Sequence, residues 1–88
     1  MSRIVKRAQA GTMQSSDLVV TVEPGEVLVI EVESTVKHQF GHLIRKKVEE
    51  VLAAEGVTQG TVRVTDRGAL DYAIQARLET ALRRAAKE

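Results

Sequence analysis

The chain has no cysteine, one proline, one phenylalanine and one tyrosine, and its thirteen basic side chains are nearly cancelled by twelve acidic ones. Without cysteine there is no disulfide scaffold, no thiolate metal site and no thiol redox chemistry, which suits a reducing compartment. Two aromatic rings leave almost no platform for stacked bases. A formal net charge of +1 removes the electrostatic case for a dedicated nucleic-acid or anionic-membrane binder. Residues 1–7 lack an apolar segment of signal-peptide length, and no stretch approaches the ~20 apolar residues that span a bilayer. The expectation is a cytoplasmic protein.

What is present is an ordinary globular balance, with 43% hydrophobic and 28% charged residues in a chain of 88. A chain of that size buries only about 60–65% of its extended surface. It is read as one domain over 1–88, with a modest core and little room for an enclosed active site.

Alternation of apolar residues predicts strands. Leu18, Val20 and Val22 share one face over 18–23, and Leu28, Ile30 and Val32 share one over 26–33. Pro24-Gly25 between them is a strong turn signal, so a hairpin is the simplest expectation. Val62 and Val64 point inward in a third strand over 60–66, and residues 3–10 form either an edge strand or a frayed terminus. Val36, Phe40, Leu43, Ile44, Val48, Val51 and Leu52 recur at spacings of three and four, which predicts a helix ending near Gly56 and capped by Ser34 or Thr35. Gly41 inside it implies close approach of that helix to the sheet. Leu70, Ala73, Ile74, Leu78, Ala81 and Leu82 predict an inward face for a second helix over 69–86. Its other residues, Arg77, Glu79, Arg83, Arg84 and Lys87, reach water or a partner. The resulting class is α+β: a small two-layer domain with a mainly antiparallel sheet of three to four strands and two helices packed on one face.

Catalytic constellations are scarce. His38 and His42 share a helix face at the spacing of two metal ligands, but no third ligand accompanies them, and no metal site is assigned. Asp66 and Asp71 read better as a loop and a helix-start carboxylate than as an acid/base pair across a cleft. The segment Ala10-Gly11-Thr12-Met13-Gln14-Ser15-Ser16-Asp17 differs in kind: a glycine, three hydroxyls and a carboxylate between two apolar runs read as a surface turn. Ser15 has no triad partner and would be a feeble nucleophile alone. Its reading is a hydroxyl on which another enzyme acts, and no residue is assigned as catalytic.

Ala10-Gly11-Thr12-x-x-Ser15-Ser16-Asp17, taken with Gln39-Phe40-Gly41-His42 and Asp66-x-Gly68-Ala69-Leu70-Asp71, resembles the acyl carrier (gamma) subunit family of citrate lyase over nearly the full chain. The resemblance implies that Ser15 bears 2'-(5''-phosphoribosyl)-3'-dephospho-CoA through a phosphodiester. Ser16 matches a position that is often glycine or serine, which the resemblance makes the less favoured acceptor. It further implies a thioester on the arm's thiol, exchange of acetyl for citryl on the alpha subunit, and cleavage to oxaloacetate on the beta subunit. The implied partners are those two subunits and an arm-transferring enzyme, with no nucleic acid and no membrane. Tyr72 stands where family members commonly have cysteine, and Met13-Gln14 replaces a frequent Leu-Glu pair. The serine turn differs from the Asp-Ser-Leu helix start of fatty-acid carriers, so a simple phosphopantetheine arm is not implied.

The rival readings are the acyl carrier subunits of citramalate lyase and malonate decarboxylase and, from a different class, a non-catalytic interaction or nucleic-acid module. Two finer expectations concern charge. Arg3, Lys6 and Arg7, which lead toward the turn, are expected beside the arm's phosphates or are ordinary solubilising charge. The arginine-rich end of the second helix, at Arg83 and Arg84, is the expected docking region.

Overall fold

Leu18, Val20 and Val22 are wholly buried, as are Val62 and Val64, and their alternation with half-buried or exposed neighbours makes two strands with one covered face. The structure, a computed structural model, describes residues 3–34 and 37–86, with only the helical backbone of 37–41. Its elements are β1 (Ala8–Gly11), β2 (Leu18–Glu23), β3 (Leu28–Ser34), α1 (Lys37–Ala54), β4 (Gly60–Asp66) and α2 (Asp71–Ala85). The sheet order is β1-β2-β4-β3, antiparallel except for the β3–β4 pair. Both helices face the same core. Ile44, Val48, Val51 and Leu52 of α1 and Ile74, Leu78, Ala81, Leu82 and Ala85 of α2 cover the inward valines. The two-layer α+β class expected from the pattern is the one observed.

The hairpin across Pro24-Gly25 is not. β4 lies between β2 and β3, pairing Thr21 and Glu31 with its Arg63 from opposite sides. The reason lies in register. A two-residue Pro-Gly turn would set Glu23 opposite Glu26 and Thr21 opposite Leu28, so Leu28, Ile30 and Val32 would face solvent while Val20 and Val22 faced the core. Like charges would also stand directly opposed. Inserting β4 removes both conflicts: Val62 and Val64 align with Ile30 and Val32 on one side and with Val22 and Val20 on the other. Arg63 meets the Glu31 carboxylate at 2.9 Å, which raises the Arg63 pKa through that hydrogen bond and the opposite charge. A parallel pair requires a crossover, and α1 supplies it between β3 and β4.

Residues 24–27 therefore cross over the start of β4. The Gly60 amide donates to the Val27 carbonyl at 3.1 Å. A Cβ on Gly60, whose φ is +116°, would come within 2.8 Å of the Glu23 carbonyl oxygen, so only glycine suits this crossing. Each edge strand is tied to a helix. Arg45 of α1 donates to the Ile30 carbonyl and Arg84 of α2 to the Gln9 carbonyl, both at about 2.7–2.8 Å.

Two apolar assignments change. Leu43 and Leu70 are 50% and 60% exposed rather than in the core, because Leu43 lies on the rim of the α1 stripe and Leu70 precedes α2 in extended conformation. Thr35, Val36 and Lys87, and the side chains of His38 and Phe40 and the surroundings of Gly41, lie outside the described residues.

Candidate functional site: the serine turn

β1 and β2 form a hairpin whose tip is the segment 12–17, so Ser15 stands in a connection at one end of the sheet. Gly11 opens the tip with φ +105°, and a Cβ there would collide with the Leu18 carbonyl oxygen. The Thr12 amide closes the base by donating to that same oxygen at 3.1 Å. A tighter turn follows, with the Asp17 amide donating to the Gln14 carbonyl at 3.2 Å. Ser15 and Ser16 occupy its central positions, Ser16 with φ +64°. Ser15 is exposed, and its hydroxyl makes no hydrogen bond among the described residues.

Beneath the tip, Asp17 is the organising group. Its carboxylate accepts from the Thr12 hydroxyl at 2.5 Å, from the Leu18 amide at 2.8 Å, and from Arg77 through Nε at 3.2 Å and a terminal nitrogen at 2.9 Å. The Thr12 hydrogen bond, then the Leu18 amide and Arg77, lower its pKa to about 2. Such a carboxylate is a poor proton acceptor at neutral pH. It braces the turn rather than activating Ser15. Arg77, expected to reach water or a partner, is instead committed to Asp17 from α2.

A second aspartate holds the neighbouring loop. Asp66 is the last residue of β4 and is 2% exposed, a buried strand end rather than a loop carboxylate. It accepts from the Ser34 hydroxyl at 2.8 Å, from the Gly68 amide at 3.1 Å and from the Ala69 amide at 2.9 Å. The loop so fixed pairs with the serine turn: the Ser16 amide donates to the Arg67 carbonyl and the Arg67 amide to the Asp17 carbonyl, each at 2.8 Å. Asp71 heads α2 and meets Lys47 at 3.8 Å. His42 is exposed on α1.

The expected phosphate-facing cations are elsewhere. Arg7 pairs with Glu23 at 3.2 Å, and Arg3 lines a hollow with Pro24, Thr58 and Gln59. Both lie beyond the start of β1, away from the turn, because β1 runs from Ala8 toward Gly11 and the turn follows its far end. Arg67 is the cation whose backbone adjoins Ser16.

The class of small domain to which this turn, sheet and helix pair belong is the acyl carriers. Residues 5–85 match the acyl carrier family described as malonate decarboxylase delta subunit (MdcD). The citrate lyase acyl carrier protein of Pectobacterium carotovorum subsp. carotovorum is 50% identical over 84 residues, covering 94% of this chain and 88% of that protein. That of Albidiferax ferrireducens is 51% identical over 84 residues, covering 93% and 86%. One chain of the solved structure of a Pseudomonas malonate decarboxylase hetero-tetramer in complex with malonate aligns with TM-score 0.81 at 25% identity, covering 93% of this chain and 86% of that one. The chain belongs to the citrate lyase acyl carrier protein family.

Proposed function

We propose that the chain is the acyl carrier subunit of citrate lyase, that Ser15 is the attachment point for 2'-(5''-phosphoribosyl)-3'-dephospho-CoA, and that the chain contributes no catalytic group of its own. The observation that carries this reading is the Ser15 hydroxyl, exposed and without a hydrogen bond among the described residues, at the centre of a turn whose base is held by Asp17 and Arg77. An exposed hydroxyl with no partner to displace fits an esterified group. Identity of about 50% to citrate lyase carriers, against 25% to the malonate decarboxylase chain, favours citrate lyase over malonate decarboxylase.

Ser15 Oγ would form the new bond to phosphorus as a phosphoanhydride bond of an activated donor breaks, the donor's outer phosphate portion leaving with the bonding pair as an inorganic phosphate or pyrophosphate anion and the hydroxyl proton going to a base of the transferring enzyme. Asp17, with a pKa of about 2, is too weak a base for that task. Attached at Ser15, the group would supply a thiol able to carry acetyl or citryl between the alpha and beta subunits. Tethering at Ser15 gives both sites a high effective concentration of thioester without tight docking. The absence of cysteine from the chain supports a reducing, cytoplasmic setting for this function.

Co-expression with the arm-building and arm-transferring enzymes, followed by intact mass, tests the reading. The wild-type chain should gain the mass of the group, Ser16→Ala should still gain it, and Ser15→Ala should not. Reconstituted complex with Ser15→Ala should lack citrate cleavage. A wild-type chain that stays unmodified under these conditions, or a Ser15→Ala chain that is modified, overturns it.

A further inference from the structure

Four strand ends and two helix starts meet where Ser15 stands: β1, β3 and β4 finish there, and β2, α1 and α2 begin. Large apolar side chains are exposed at that end, with Met13 in the turn 52% accessible, Leu43 50% and Leu70 60%. Leu43 and Leu70 flank a mainly apolar cleft of about 400 Å³ that is also lined by Ile44, Gly68, Ala69 and Ile74 and by the carboxylate residues Asp66 and Asp71. Gly68 adjoins the turn, since a Cβ on it would lie 4.0 Å from the Ser16 Cα. The volume is within the roughly 300–1,000 Å³ typical of built binding clefts, and exposed leucines rimming such a cleft are the usual mark of an interaction surface.

Resting on attachment at Ser15, we infer that the Leu43–Leu70 cleft is the docking site for the enzyme that transfers the arm onto Ser15, entered by an apolar side chain of that enzyme. The choice of occupant follows from geometry. Bond formation brings Ser15 Oγ to about 3–3.5 Å from the donor phosphorus, so the transferring enzyme closes over the turn itself. A specific interface covers about 800 Å² on each partner, and a footprint centred on Ser15 takes in the loop 67–70 that is hydrogen-bonded to the turn. A subunit that handles the thioester meets the far end of a long tether and has no such need to touch Leu70. Tyr72, exposed in the first turn of α2, adds to the apolar surface at this end, whereas Val5, Val27, Leu28 and Val29 belong to the segment before β1 and to residues 27–29, away from the turn.

The test is steady-state loading of the full apo-chain by the purified transferring enzyme, with the activated phosphoribosyl-dephospho-CoA donor at saturation and intact mass as readout. Leu70→Asp is the informative variant, because residue 70 is the N-cap of α2 and lacks a side-chain cap bond; aspartate there favours the helix and preserves the fold. Leu70→Asp and Leu43→Gln should each raise the KM for apo-chain at least tenfold with kcat within about twofold, and direct binding of apo-chain to the transferring enzyme should weaken in parallel. Val27→Asp, at the opposite end, should leave both constants unchanged. Wild-type KM for the two leucine variants overturns the inference while leaving attachment at Ser15 intact. An equal rise for Val27→Asp, or weakened binding only to the alpha or beta subunit, also overturns it. Failure of the wild-type chain to be loaded overturns the attachment reading and this inference with it.

Discussion

The two ends of the sheet are both built from turns and glycines, yet they are held in opposite ways. At the end away from Ser15, closure is mostly backbone on backbone: Gly60 to Val27 at 3.1 Å, Val5 to Ala85 at 3.0 Å and Val57 to Leu52 at 2.9 Å. There the chain folds down on itself, and Gly60 sits against Glu23 and Ile4 with no space for a side chain. At the serine end, two carboxylates reinforce the backbone pairing of the turn with itself and with Arg67. Asp17 gathers Thr12, Leu18 and Arg77, and Asp66 gathers Ser34, Gly68 and Ala69. A loop fixed from beneath by a side chain keeps its outer face free, which is what an attachment point requires. The difference separates stability from presentation: one end is closed, and the other is rigid but open.

Paired glycine substitutions break that comparison most severely. Gly11 and Gly60 both have positive φ, +105° and +116°, and alanine at either carries a backbone strain of about 1–3 kcal/mol. At Gly11 the new Cβ also meets the backbone of Leu18, whereas at Gly60 it meets Glu23 backbone and the Ile4 side chain, each at 2.8 Å. Denaturant melts should show both variants destabilised, Gly11→Ala the more. Loading at Ser15, measured per folded molecule, should fall at least tenfold in Gly11→Ala and stay within twofold in Gly60→Ala. Equal losses of loading would mean the two ends are not independent.

Acid sharpens the comparison, because the serine end depends on an unusually acidic carboxylate. The pKa of Asp17 is lowered from 3.8 to about 2 in the folded chain. A depressed folded-state value means that its contribution to stability is present above the unfolded value and is lost as pH falls through the folded one. The window runs from about pH 4 down to about pH 2. Asp17→Asn should lower the melting temperature near neutral pH and flatten its decline across that window. Arg77→Leu should lower the neutral-pH melting temperature as well. A wild-type curve no steeper than the Asp17→Asn curve between those values would show that the carboxylate is not clamped.

Much of this was readable in the sequence where one face of an element is buried. β2 and β4 are observed at the expected 18–23 and 60–66, because alternation with one covered face admits no other register. The order of strands was not readable from the turn alone; the mismatch between Leu28 and Val22 in a Pro-Gly register was the available signal against a hairpin. Ser15 was legible as an exposed hydroxyl because glycine, serine and aspartate settle a turn locally. Arg77 was not, since its partner Asp17 lies 60 residues away. A trace existed: Arg77 is three residues after Ile74 and four before Ala81, on the stripe that both of them bury, and a cation there requires a partner. Leu43 and Leu70 were misassigned because spacing of three and four identifies a stripe but not where its edge meets solvent.

The smallest expected effect separates the two serines. Ser16 has φ +64°, a left-handed conformation that costs a non-glycine residue about 1–2 kcal/mol, while its amide and not its side chain makes the contact to Arg67. Glycine removes that strain but widens the unfolded ensemble, which takes back about 0.4–1 kcal/mol. Ser16→Gly should therefore be neutral or stabilising by no more than about 1 kcal/mol, with loading at Ser15 within twofold of wild type. The same change at Ser15 deletes the hydroxyl and with it all loading. What position 16 must supply is then a positive φ and an amide for the Arg67 carbonyl rather than an oxygen. Ser16→Val discriminates further: a β-branched residue resists positive φ, so it should lose stability and slow loading, and an unaffected Ser16→Val chain would show that the turn's shape is not what presents Ser15.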